Sequence, residues 1–233
     1  MSVLIVAPTA REAAACGRGA LICGAGPGAG ERVEALLVQH KPNVLIVAGV
    51  CGGLDPSLAP GSLVLGRKLV APNRPERTAD PAMLAGARRA LHGGGVPYVL
   101  STVLSVSRPA GSRRQKTMLW NRYGAAGVDL ETYAVAEAAE SHGVPWLALR
   151  AVLDPATAGL PAAVRDWQGE EDERRILRQL ALRPHTWPAY ARLALQLRSA
   201  LAALRRGVPL LAGALSAAVP LAEPDAERRI ASR

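Results

Sequence analysis

Residues 43–65 read NVLIVAGVCGGLDPSLAPGSLVL. The run Val44–Val50 is apolar without alternation, the pattern of a strand covered on both faces. Gly52 and Gly53 end it, Leu54-Asp55-Pro56 and Pro60-Gly61 turn the chain, and a second apolar run begins at Ser62. Similar short runs recur at 3–7, 20–23, 97–106 and 146–153, and helical patterns fit 31–40, 81–91, 113–123 and 131–142. Gly143 and Pro145 stop the last of these helices before the strand that follows it. Buried strands alternating with helices predict an α/β fold with a mixed, largely parallel central sheet flanked by helices.

The texture changes beyond Pro161. Two helical patterns follow, Arg174–Leu182 and Ala189–Arg206, with Pro184 and Pro188 between them. These features divide the chain into a main domain over 1–160, a C-terminal helical extension over 161–206 packed on or beside it, and an apolar then charged tail over 207–233. In the second helix Tyr190, Leu193, Leu197, Leu201 and Leu204 recur at three- and four-residue steps, with Arg192, Arg198, Arg205 and Arg206 among them. That composition suits either a helix lying on an anionic membrane or one docking on the protein's own core. Residues 207–222 are uncharged but hold Pro209 and Pro220, too short and broken a run for a spanning helix.

The formal net charge is +9, yet aromatic residues make up only 3% and phenylalanine is absent. A stacking platform for single-stranded nucleic acid needs exposed aromatics, so that class is not expected. The positive charge is local: Arg174–Arg206 holds eight arginines and Arg108–Arg122 five basic residues, neither stretch with an acid. Such faces suit phosphate groups or an anionic surface, or are simply solvated. Cys16, Cys23 and Cys51 match no zinc or CxxC spacing, and MSVLIVAPTA lacks a basic leader, so a reduced, cytoplasmic protein is expected.

Four stretches carry candidate chemistry. In CGAGPGAGERVEAL (23–36), Gly24, Gly26 and Ala29 satisfy a dinucleotide fingerprint, but the next strand ends Ala48-Gly49-Val50 without the acid that would hold a ribose. A tight turn with close helix packing is the better reading. At Cys51, Gly52 and Gly53, glycines at a strand's carboxyl end would let a flat ligand lie against the backbone. In GVDLETYAVAEAA (127–139), Asp129 and Glu131 flank Leu130 where a strand hands over to a helix, so both acids share one face. In WLALRAVLDPAT (146–157), a buried-looking strand ends in Asp154 before Pro155. Carboxyl ends of strands form the ligand crevice of open α/β sheets, and a plain turn or N-cap residue is the lesser alternative for Asp154.

The order strand–GGLDPxLxPGxLVL, then VDLETYAVAEAAxxxGVPxLALRAVxD, resembles the nucleoside phosphorylase and nucleosidase family, which cleaves purine N-glycosidic bonds. The resemblance covers roughly 3–157. Segments LRAVLDPATAGLP (149–161) and ILRQLALRPHTWPAYARLALQLRSALAAL (176–204) are most similar to its hopanoid-associated branch, whose enzymes act on adenosylhopane.

The resemblance implies roles. Glu131 would grip the ribose hydroxyls and favour an oxocarbenium-like transition state. Leu130 would pack on sugar and base, with Asp129 the less critical acid. Asp154 would be the general acid at purine N7, although Leu153 replaces the family's usual serine before it. Glu12, in APTAREAAA, matches a water-activating glutamate, or else is an ordinary first-turn helix acid. Cys51, Gly52 and Gly53 would shape the base pocket. Phosphorolytic relatives carry arginine and serine where Val47 and Val50 stand, which favours water, with Arg108, Arg113 or Arg114 as another route to phosphate.

Three readings follow. The first is adenine release from a lipid-linked nucleoside such as adenosylhopane, in hopanoid biosynthesis. The second is a soluble nucleosidase or phosphorylase for methylthioadenosine or another small purine nucleoside. The third is a non-catalytic nucleoside- or lipid-binding protein. No metal or organic cofactor is implied, phosphate is the open co-substrate, and a homo-oligomer is expected from the resemblance.

Overall fold

The computed structural model describes residues 2–161, 164 and 186–217. Its elements run β1 (Val3–Ala7), α1 (Ala10–Cys16), β2 (Leu21–Ile22), α2 (Ala29–His40), β3 (Val44–Gly53), β4 (Leu63–Val70), β5 (Arg77–Thr78), α3 (Pro81–Gly93), β6 (Tyr98–Ser105), α4 (Arg113–Tyr123), β7 (Gly127–Asp129), α5 (Thr132–Ser141), β8 (Trp146–Asp154) and α6 (Trp187–Ala217). The expected mixed, largely parallel sheet with flanking helices is present. The expected helix at 174–182 and most of the tail, from 218 on, lie outside the described residues.

β3 is the axis of the sheet. It pairs parallel with β1 on one side and β8 on the other. β8 then pairs antiparallel with β4, and β4 parallel with β6. The three-residue β7 joins β6 in parallel and returns to the far end of β3 at Gly52 and Gly53. The sheet therefore closes on itself as a small barrel, a closure that strand-by-strand reading did not foresee. Leu45, Ile46, Val47, Ala48, Leu147 and Leu149 are fully buried, which explains why β3 and β8 lack an apolar–polar alternation.

Two local devices bring the sheet's carboxyl end into shape. The β3–β8 register shifts after Cys51, so that Leu153 is an extra residue and Asp154 falls opposite Gly52. On β7, Cys51 Sγ would lie 2.8 Å from any Cβ at Gly127, so that position admits only glycine without displacement.

The C-terminal helix corrects one expectation. It does not end at Arg206 but continues as one 31-residue helix through Gly207 and Pro209 to Ala217. Gly207 is a packing glycine here: a Cβ would sit 3.0 Å from both Leu149 and Leu63 side chains. As expected of an extension packed on or beside the main domain, α6 covers β8, β3 and β4 and touches α1 and α3. Length and apolarity alone would let it cross a membrane. Its Leu201, Leu204, Val208, Leu211 and Leu215 are instead buried against the sheet, while Arg192, Arg198, Arg205 and Arg206 are exposed.

This burial makes a direct test. Leu204 is 0% exposed and Leu195, on the same helix, 62%. Leu204→Ala should lower the free energy of unfolding by about 2–5 kcal/mol, the usual range for a buried leucine. Leu195→Ala should change it by no more than about 0.5 kcal/mol. Urea titration of both variants checks the contrast.

Candidate active site

The carboxyl ends of β3, β7 and β8, the start of α1 and the N-terminal part of α6 surround a cavity of about 700 Å³. Glu12, Glu131 and Asp154 all line it, together with Asp129, Leu130, Cys51 and Gly52. Gly53 does not. Its Cα faces Val152 and the Asp154–Pro155 backbone, because successive residues of a strand point to opposite faces. Leu153 lines the wall where the relatives' serine was expected. The rest of the lining is mostly apolar and includes Leu160, Val164, Tyr190, Leu193 and Leu197.

Glu12 satisfies both readings of its position. Thr9 caps α1, accepting from the Glu12 N–H, so Glu12 is indeed a first-turn helix acid. Its carboxylate is nevertheless buried and held at both oxygens. Thr9 Oγ1 donates to Oε2 at 2.5 Å, and the Val50 N–H donates to Oε1 at 2.7 Å. Val50 thus holds Glu12 by its backbone while its side chain lines the cavity. Burial raises the pKa of Glu12, against the lowering effect of those donors and of Arg150.

Arg150 was missing from the sequence-derived site. It sits mid-strand on β8 and is fully buried. Nε lies 2.9 Å from Asp129 Oδ2 and donates to Thr132 Oγ1 at 2.7 Å. Nη1 approaches Glu131 Oε1 at 3.0 Å as an ion pair outside hydrogen-bond geometry, so among the described residues neither Nη1 nor Nη2 makes a hydrogen bond. Gly49 makes room for this crossing, since a Cβ there would collide with Arg150 Nη1 and Glu12 Oε1. A lone arginine inside the run LALRAVL was the available signal.

The two acids of the DLE stretch have different environments. Asp129 is taken up by the protein: Ser105 Oγ donates to Oδ1 at 2.6 Å, the Thr132 N–H donates at 3.2 Å, and the Thr132 hydroxyl and Arg150 hold Oδ2. It thereby fixes the start of α5, with Tyr133 N–H donating to Ser105 Oγ at 2.9 Å. Glu131, half a turn on, ends the strand-to-helix corner at the cavity. Burial pushes its pKa up to about 8, with Arg150 pulling down and Asp129 and Glu12 adding to the rise. The backbone of Gly26 also lowers it, so the first glycine-rich turn meets this acid. Arg32 packs across that turn at Gly24.

Asp154 is paired with Lys116, a second residue that the sequence reading placed among solvated basic groups. Lys116 is 0% exposed and contacts Asp154 Oδ2. The other basic residues of that stretch, Arg108, Arg113, Arg114 and Arg122, are exposed and none lines the cavity. Burial raises the pKa of Asp154, opposed by Lys116. Cys51, Cys16 and Cys23 are buried free thiols with raised pKa values, neutral and unreactive. No group of side chains that could hold a metal occurs among the described residues.

A family model described as the phosphorylase superfamily matches residues 11–182. The chain belongs to that superfamily. It is 35% identical over 133 residues to the futalosine hydrolase of Streptomyces coelicolor, covering 51% of this chain and 57% of that relative. The match therefore spans little more than half of the relative's length. Solved structures share the fold of this superfamily member. The S-adenosylhomocysteine nucleosidase of Streptococcus pyogenes superposes with TM-score 0.69 at 17% identity, covering 95% of this chain and 98% of that one. The 5'-methylthioadenosine/S-adenosylhomocysteine nucleosidase of Neisseria meningitidis gives 0.69 at 16% identity, over 90% and 97% of the two chains. The futalosine hydrolase of Helicobacter pylori gives 0.60 at 15%, over 65% and 87%.

Glu131 links the site to stability. Burial raises the pKa of folded Glu131 to about 8, from the ordinary value near 4.5. The folded state binds the extra proton between those values, so stability contributed here falls as pH rises through that window. Thermal unfolding of Glu131→Gln from pH 5 to 8 should show a flatter decline than the parent protein.

Proposed function

We propose that the protein is a nucleosidase that hydrolyses the N-glycosidic bond of a purine nucleoside carrying a bulky apolar group at its 5′ position. The observation that carries this reading is the meeting of Glu12, Glu131 and Asp154 on one cavity whose remaining wall is mostly apolar. Three acids on different elements would divide the chemistry among them. Glu131 would accept from the ribose hydroxyls, an interaction that strengthens as the sugar gains positive charge. Glu12 would take the proton of the attacking water, its raised pKa making it a stronger base. Asp154 would give a proton to the departing base.

Water is favoured over phosphate by the valines at 47 and 50, the second of which presents only an apolar side chain to the cavity. Arg11 is the one basic lining side chain among the described residues, and it is exposed. For the 5′ group, Leu160, Val164, Tyr190, Leu193 and Leu197 supply an apolar surface suited to a hydrocarbon body such as that of adenosylhopane. The 35% identity to a futalosine hydrolase favours futalosine as a second candidate substrate. With a lipid-linked substrate, membrane contact would be electrostatic, through the exposed arginines of α6, since most of its leucine stripe is turned inward.

The test is release of free purine from adenosylhopane, futalosine, methylthioadenosine and inosine, each with and without phosphate. Free ribose-side product in phosphate-free buffer is expected, and strict phosphate dependence would turn the reading to phosphorolysis. Asp154→Asn should lower kcat by roughly 10²–10⁴, the usual worth of general acid catalysis. Near-normal turnover in that variant would remove Asp154 from the chemistry. Glu12→Ala should abolish purine release while leaving nucleoside binding measurable by calorimetry.

A further inference from the structure

We propose that Lys116 is a positioning residue for the proton donor: its buried ammonium fixes Asp154 and faces the carboxylate that forms as the purine leaves. The inference rests on the purine nucleosidase reading and adds to it a residue that never touches the substrate.

The geometry assigns all three ammonium protons to one corner. Lys116 Nζ lies 3.0 Å from the Asp154 carbonyl, 2.9 Å from the Pro155 carbonyl, and in contact with Asp154 Oδ2. No donor is left for a ligand, and Lys116 does not line the cavity. Oδ2 being occupied, Asp154 meets a ligand through Oδ1, on the Gly52 side. A Cβ at Gly52 would meet Oδ1 at 3.5 Å and Lys116 Cε at 3.7 Å, ordinary contact distances that place both groups beside this glycine.

A buried ammonium behind a cavity wall is a poor stability device, because its desolvation opposes any attraction it gains. The two carbonyls alone could be served by a neutral donor. What the charge adds is control of the acid. A lone carboxyl in this burial would hold its proton strongly and donate it reluctantly. Lys116 opposes that effect of burial.

The step balances as follows. The C1′–N9 bond breaks and its electron pair enters the purine. The Asp154 Oδ1–H bond breaks as N7–H forms, and the base departs neutral. The negative charge left on Asp154 is met by the ammonium already in contact with Oδ2. Water supplies the hydroxyl at C1′ and its proton passes to Glu12. The titratable groups facing the pair are Cys51 on β3, kept neutral by burial, and beyond it Asp129 on β7 and Arg150 on β8, which are paired with each other. Glu12 and Glu131 border the same cavity, so the pH effect is read as the difference between variant and parent.

Lys116→Met keeps the length and apolar stem of the side chain while removing its charge. With a purine nucleoside, kcat should fall by roughly 10–10²-fold, part of the worth of proton donation. The basic limb of the pH–rate profile should move up by about one unit, since losing an adjacent opposite charge raises a carboxyl pKa. With 4-nitrophenyl riboside, whose leaving group needs no proton, kcat should stay within about threefold. In the double variant with Asp154→Asn, the loss on the purine substrate should be no greater than for Asp154→Asn alone. Equal losses on both substrates with an unmoved limb, or losses that multiply in the double variant, overturn the role of Lys116 while leaving the nucleosidase reading intact. A parent protein that cleaves 4-nitrophenyl riboside but no purine nucleoside overturns that reading, and the proposal with it.

Discussion

The guanidinium of Arg150 organises the centre of the molecule. A fully buried cation demands compensation, and here it comes from Asp129 and Glu131, with Glu12 close enough to be felt. Each of these acids begins a helix or ends a strand, so satisfying one side chain fixes three pieces of backbone against β8. The planar guanidinium reaches in several directions from one point, which a lysine could not do. Gly49 on the neighbouring strand exists in this context as absent volume. The cavity's acids are therefore held from behind, by a residue that does not line the cavity.

This construction explains why the cavity keeps carboxyls with raised pKa values near a buried cation. Burial raises the pKa values of Glu12, Glu131 and Asp154, and the partners that pull them back are distributed unequally. Glu12 has two close donors and Asp154 a dedicated ammonium. Glu131 has a guanidinium shared with Asp129. Groups of one chemical type thereby meet different partners within one cavity, an arrangement suited to a reaction needing both a base and an acid.

Much of this was legible from residue order. The unalternated apolar runs declared buried strands, Gly143 and Pro145 marked a helix end, and the strand termini carried the acids that now line the cavity. Barrel closure was not legible, since it depends on β7, three residues long, meeting both β6 and β3. Arg150 and Lys116 were passed over for a shared reason. Sequence reading assigns charged side chains to solvent, and neither a lone arginine in an apolar strand nor the last base of SRRQK announces its burial partner. The end of α6 was misplaced because Gly207 and Pro209 ordinarily interrupt helices. Close approach to Leu149 and Leu63 gives the glycine a packing role instead.

The long C-terminal helix has two unlike halves. Its first turns present Tyr190, Leu193 and Leu197 to the cavity, and its later turns bury Leu201, Leu204, Val208 and Leu211 in the core. Drift in the first group would reshape what the cavity accepts while the second group keeps the chain folded. A lineage could thus exchange one bulky substituent for another by altering a few turns of one helix, with the three acids and their cations left untouched.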